Sequence, residues 1–226
     1  MRKPNFAHQL WQFYRGLQPL RIPRSFAVLY PYSDPVIQRG MKSYFQKYYA
    51  DTNKRTLLLG INPGRLGAGA TGINFTAPLQ LKDACGISHP LYPQTELSAT
   101  FIYDMIHAFG GVKKFTASFF ISAVSPLGFT YRGVNCNYYD HPGLLRAVTP
   151  FILQCLSQQM EWNINRETCI CIGEGKNYQF LQQLNRKQGW FKTIIPLPHP
   201  RFILQYRRKK VQDYIQRYLT ALDACR

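Results

Sequence analysis

Gly60-Ile61-Asn62-Pro63-Gly64-Arg65-Leu66-Gly67-Ala68-Gly69-Ala70-Thr71-Gly72-Ile73-Asn74-Phe75 follows directly on the apolar run Leu57-Leu58-Leu59. A short apolar run bounded by Gly and Pro reads as a buried strand, here over about residues 55–61. Pro63 has no N–H to give a sheet, so the chain must leave it there. The glycines that follow let backbone or ligand atoms come close. The stretch is therefore a strand whose C-terminal end opens into a shaped loop, with Asn62 at its mouth and Phe75 at its exit. In open α/β sheets that is where ligands bind. Two other readings stand beside this one. One is an Asn-Pro-Gly turn without chemistry. The other is a nucleotide loop, since Gly67 to Gly72 fits G-x-G-x-x-G. That fit is displaced from the strand end, opens no helix, and lacks a following G-K-[S/T].

Working outward, the pattern alternates strands and helices. A short helix is expected over residues 5–15, and Ser33-Asp34-Pro35 starts another with Ile37, Met41, Tyr44 and Phe45 on one stripe. Residues 76–94 read as irregular, and 95–109 as a helix stopped by Gly110-Gly111. Phe119 to Val124 is a second strand, ending at Ser125-Pro126. Tyr131 to Asp140 reads as a loop, and His141-Pro142 opens a helix. Thr168 to Ile172 and Thr193 to Leu197 are the third and fourth strands, and residues 206–222 the last helix. The expected fold is α/β: a three-layer αβα sandwich around a four-stranded, mainly parallel sheet. Residues 1–226 form one domain in this reading, with 1–50 as a helical extension. If the strands are parallel, Asn62, Ser122, Ser125 and His199 gather on one edge.

The chain has 226 residues, 46% of them hydrophobic, enough for a core, and carries a formal net charge of +17. That excess points to a polyanionic partner, nucleic acid first and an acidic membrane surface second. No stretch is long enough to span a bilayer, and Met1-Arg2-Lys3-Pro4 leads into no apolar signal segment. An intracellular, reduced protein is expected: nuclear in a eukaryote, nucleoid-associated in a bacterium. The six cysteines show no C-x-x-C pair, so no metal, cluster or disulfide framework is expected. Cys169 and Cys171 are placed on opposite faces of their strand.

The sixteen-residue stretch resembles the first motif of the uracil-DNA glycosylase superfamily, and its single-strand-selective monofunctional (SMUG-type) branch above all. Gly60, Asn62, Pro63, Gly64, Gly67, Thr71, Gly72 and Phe75 fall in register with it. The likeness runs from about Arg55 to the C-terminus, leaving the first fifty residues outside. It implies that Asn62 orients a hydrolytic water, that Phe75 stacks on the base, and that His199, in a shortened second motif His199-Pro200-Arg201-Phe202, faces the base anion. The residue types suit the chemistry. A weakly basic amide can hold a water, and an imidazole between Pro198 and Pro200 can stabilise charge on a departing base. Ile61 and Gly64 are placed against the base, and Arg65 against DNA. Arg201 or Phe202 is the wedge that fills the space of a flipped nucleotide.

One departure stands out. The family carries an Asn at the second strand end that reads the edge of uracil, and here Ala123 stands there. Ser122, Ser125, Asn135 and Asn137 are the candidates to replace it, and the accepted base is expected to be uracil or a related damaged base. Arg207-Arg208-Lys209-Lys210 opens the last helix in this reading, where cations are unfavourable unless DNA phosphates compensate. The expectation is a monomeric, cofactor-free, monofunctional DNA glycosylase. The alternative is a nucleic-acid-binding module without catalysis.

Overall fold

The computed structural model describes residues 4–225, so the expectation about a signal segment at Met1 to Lys3 lies partly outside the described residues. In chain order the helices are α1 (Phe6–Gly16), α2 (Pro35–Tyr49), α3 (Ala68–Thr71), α4 (Leu97–Phe109), α5 (Val112–Ser118), α6 (Pro142–Met160), α7 (Lys176–Gln188), α8 (Pro200–Tyr206) and α9 (Val211–Asp223). The strands are β1 (Phe26–Leu29), β2 (Thr56–Gly60), β3 (Phe119–Ala123), β4 (Gly128–Tyr131), β5 (Val134–Cys136), β6 (Thr168–Ile172) and β7 (Thr193–Leu197).

Four strands form a parallel sheet in the order β3-β2-β6-β7. Side chains alternate across it, and two cores result. Leu57, Leu59, Phe120, Cys169 and Cys171 join α1, α2, α6 and α7 on one face. Leu58, Phe119, Ile170 and Ile172 join α4, α5, α8 and α9 on the other. This is the expected three-layer sandwich. Cys169 and Cys171 share a face, contrary to the sequence reading, because residues two apart in a strand point the same way. All six cysteines are buried and free, and no helix among the described residues is long and apolar enough to cross a membrane.

The path from β2 to β3 runs through α4 and α5 on one face, whereas the path from β3 to β6 runs through α6 on the other. Chain segments thus leave the central strands in opposite directions, and a crevice opens at their C-terminal ends. Into this crevice project residues after β2 and β7, together with Ala123 at the end of β3.

A second, smaller sheet escaped the sequence reading. Strands β1, β4 and β5 pair antiparallel in the order β1-β4-β5. The two-residue turn Arg132-Gly133 joins β4 to β5, both residues with positive φ (49° and 78°), as tight hairpins require. A Cβ on Gly128 would collide with the Pro63 carbonyl, so this ribbon lies directly on the Asn62 loop.

The N-terminal helices are built into the larger core. Asp34 caps α2 by accepting from the Val36 N–H at 2.7 Å. Arg55 is buried between the rings of Phe6 and Tyr49, 4.7 and 4.8 Å from their centroids, and its guanidinium pairs with Asp51 at 2.9 Å. The described residues 4–50 therefore contribute more than a helical extension, since they also supply β1. The C-terminus differs from its expectation too. The expected last helix over 206–222 is broken at Arg207, whose backbone (φ −133°, ψ 25°) closes α8 before a 3-10 turn, Arg208–Lys210, leads into α9.

Candidate active site

At the C-terminal edge of the sheet lies a cleft of about 300 Å³, lined among others by Asn62, Phe75, Ala123, Asn135, His199 and Arg201. That is the lower end of the size range of small-molecule sites.

The Asn62 loop is held from several sides. The Thr71 hydroxyl donates to the Thr76 carbonyl at 2.6 Å and accepts from the Ile73 N–H at 3.2 Å. Asn74 donates to the Tyr14 hydroxyl of α1 at 3.1 Å. Gly72 has φ +74°, and a Cβ there would strike Met41 of α2. Phe75 takes φ 52°, a left-handed conformation rare for an aromatic residue and held by this surrounding structure. Its ring lies over Gly60, where an added Cβ would come within 2.6 Å of Cε2.

The Asn62 side chain is fixed by the end of the ribbon, the segment after it and its own loop. Its Oδ1 accepts from the Tyr138 N–H at 3.0 Å, and its Nδ2 donates to the carbonyls of Cys136 and Pro63, both at 3.3 Å. A carbonyl oxygen has two lone pairs, so Oδ1 retains one for a water.

His199 sits between β7 and α8 and caps the helix: its Nδ1 accepts from the Arg201 N–H at 3.2 Å. The preceding Pro198 carbonyl accepts from the Tyr218 hydroxyl at 2.7 Å. Burial, with the Arg201 charge adding to it, pushes the imidazole pKa down to about 4. The ring is therefore neutral at pH 7. With Nδ1 accepting, its proton resides on Nε2. The Phe75 and His199 rings are 5.7 Å apart between centroids and inclined at 43°.

Of the residues expected from sequence, Ile61, Asn62, Gly64, Phe75, Asn135, Asn137, His199, Arg201 and Phe202 all line the cleft. Ser122 and Ser125 do not. Ser122 is buried beside the Tyr14 hydroxyl without a hydrogen bond of good geometry. Ser125 donates to the Leu127 carbonyl at 2.7 Å. Both point into packed structure because Ala123 takes the intervening position at the cleft. Arg65 is exposed outside the cleft lining. Arg207, Arg208, Lys209 and Lys210 are exposed too: Arg207 closes α8, and Arg208 to Lys210 form the turn that leads into α9, with Lys210 as its N-cap. Arg207 thus stands at a helix C-terminus, where a cation is favourable. Phe202 and Tyr206 stand exposed on α8 at the rim, 39% and 67% accessible, with Arg207 over the Phe202 ring.

Sequence reasoning missed Asn74, Glu96, Ser98 and Tyr206 of the lining. Asn74 lay within the quoted stretch. Glu96 and Ser98 carried no motif, and only the packing of α4 brings them in. The β4–β5 ribbon was signalled by Phe129-Thr130-Tyr131 followed by a two-residue turn ending in Gly.

Comparisons with known proteins bear on the fold and the family. A sequence model described as the uracil DNA glycosylase superfamily matches residues 46–223. No curated protein matches. The crystal structure of wild-type SMUG2 of Pedobacter heparinus is 39% identical and covers 98% of this chain and 98% of that one, with a TM-score of 0.94. The structural likeness thus reaches into the first fifty residues, which the sequence resemblance had left out. On these matches, the chain belongs to the uracil DNA glycosylase superfamily, in its SMUG-type branch.

Proposed function

We propose that this DNA glycosylase hydrolyses the N-glycosidic bond of uracil, or of a related damaged base, and that it is monofunctional. The observation that carries this reading is that Asn62 and His199 line one cleft whose wall is the Phe75 ring. The base stacks on Phe75. The C1′–N bond breaks, and its electron pair leaves with the base. The Nε2–H of neutral His199 donates to a base oxygen and stabilises that charge without a prior protonation. Asn62 Oδ1 holds a water through its free lone pair; the water oxygen adds to C1′ and its proton passes to solvent. Both amide hydrogens of Asn62 face carbonyls, so the side chain has little freedom to turn away. Among the described residues no lysine lines the cleft, which favours hydrolysis over a Schiff-base route. DNA is the partner, favoured by the charge of +17 and by the exposed Arg207 to Lys210 beside the cleft helix.

The test is incubation with uracil-containing single- and double-stranded oligonucleotides, followed by alkali. Strand breaks that require alkali are expected. Asn62→Ala and His199→Ala should each slow base release by about 100-fold or more with DNA binding kept. Normal release by both variants would remove the assigned roles. A non-catalytic binding module is the second reading, favoured by Ala123 where the family's reading amide stands. It requires binding with no base release.

A further inference from the structure

Ala123 leaves the cleft without a side chain that can read a base from the end of β3. The replacement is found by asking which amides in the lining are uncommitted. Asn62 is held by Tyr138, Cys136 and Pro63. Asn74 donates to Tyr14. Asn137 donates to Asp140 from its side chain at 3.4 Å, while its own N–H binds the same carboxylate at 2.7 Å. Asn135 alone of these asparagines makes no side-chain hydrogen bond, and its Oδ1 is shut off from solvent without a partner, whereas the other uncommitted amide of the lining, Gln205, is exposed to water on α8.

An unpaired buried acceptor costs folding free energy, and where one lines a cleft a bound water or a ligand can supply the missing donor. Of the side-chain atoms left in this condition among the described residues, Asn135 Oδ1 is the one in the cleft lining; Gln80, Ser122 and Gln159 lie elsewhere. Its backbone is held in place. Asn135 pairs with Thr130 across the ribbon, and the next residue, Cys136, accepts from the catalytic amide of Asn62. Its Nδ2 lies 3.6 Å from where a Cβ on Gly64 would be, so a glycine at 64 keeps the space beside this amide open.

We propose that Asn135, from the β4–β5 ribbon, is the specificity-determining residue that reads the hydrogen-bonding edge of the flipped base. A primary amide offers an acceptor and a donor side by side. It complements a base edge with a ring N–H next to a carbonyl, as in uracil. A turn of the amide about χ2 brings the orphaned Oδ1 to the ring N–H, and Nδ2 donates to the carbonyl. Cytosine presents a ring acceptor in place of that N–H, which would leave Oδ1 facing another lone pair. A site that leaves its own buried polar group unpaired with the wrong ligand discriminates strongly. This inference rests on the glycosylase reading and names the chemistry of its substrate.

The test measures kcat and KM for uracil-containing DNA, and binding to a non-cleavable 2′-fluoro-uracil oligonucleotide against its cytosine counterpart. Wild type is expected to prefer uracil by about tenfold or more. Asn135→Ala should lose about tenfold or more in kcat/KM and most of the uracil preference, while binding to DNA bearing an abasic-site analogue stays within about twofold. The near-isosteric Asn135→Asp keeps the shape of the ribbon and serves if the alanine variant fails to fold. Its carboxylate has no donor for the base carbonyl, so the same losses are expected. Unchanged kcat/KM and preference in the folded variants would overturn the role of Asn135. Wild-type protein that releases no base would instead overturn the glycosylase reading, so the two failures are distinct.

Discussion

The Tyr138 N–H donates to Asn62 Oδ1 at 3.0 Å, so the oxygen of this amide is oriented by the segment that follows the β4–β5 ribbon and not by its own loop. Tyr138 is anchored in turn: its hydroxyl donates to Asn177 Oδ1 at 2.8 Å. Asn177 Nδ2 reaches the Ile172 carbonyl and Cys171 Sγ, both at 3.3 Å, and the Gly60 carbonyl at 3.5 Å. A buried polar chain thus connects the ends of the two central strands to the candidate catalytic amide.

Removing one atom from that chain tests it. Tyr138→Phe leaves the aromatic packing and strands Asn177 Oδ1, a cost of about 1–3 kcal/mol in stability. If Tyr138 positions Asn62, kcat should fall several-fold with KM near that of wild type. Loss of stability with an unchanged kcat would make the contact purely structural.

Gly60 makes room for Phe75. In Gly60→Ala the new methyl meets Cε2 of the Phe75 ring, and the ring must move toward the cleft because Gly60 lies behind it in the buried strand. Base release should drop by about tenfold or more, well beyond what a modest change in thermal midpoint explains. Wild-type turnover in this variant would show that the ring position does not matter to the reaction.

The pH dependence follows from His199. Its folded pKa is about 4, against an ordinary value near 6.5. Above about pH 6.5 neither the folded nor the unfolded state carries the proton. Between there and about 4 the unfolded state binds it and the folded state does not, so stability is lost as pH falls through this window. The drop in melting temperature from pH 7 to pH 5 should be smaller in His199→Gln than in wild type. In the same range kcat/KM of the wild type should show no acid limb from this imidazole. An acid limb near 6.5 that the glutamine variant abolishes would contradict the depressed pKa.

Arg207 and Arg208 are exposed beside the end of the cleft helix. If they meet phosphates, Arg207→Ala with Arg208→Ala should weaken binding to all DNA sequences alike. For duplex DNA the slope of log K against log salt should flatten by about 0.9 for each phosphate that is no longer neutralised. The same slope in wild type and variant would remove them from the interface.

Much of the sandwich was legible because burial imposes periodicity. Leu57-Leu58-Leu59 alternates between two cores, and α2 shows its stripe and its Asp34 cap directly. The ribbon was less legible. Strands β1, β4 and β5 are only four, four and three residues long, and β1 is defined by its pairing with β4, far away in the chain. The break at Arg207 was hidden because the apolar stripe of α9 continues the spacing a single helix would have.

The chain's own residues determined the parallel sheet, the turn that carries Asn62 and Phe75, and a proline-bounded His199, since each follows from local sterics and apolar spacing. The tertiary structure decided which polar groups face the cleft. Ser122 and Ser125 lie beside Ala123 in sequence yet turn into packed structure, whereas Asn135 arrives from another sheet. A side chain's direction and its spare hydrogen bonds depend on what packs against it, and that is settled only when distant segments meet.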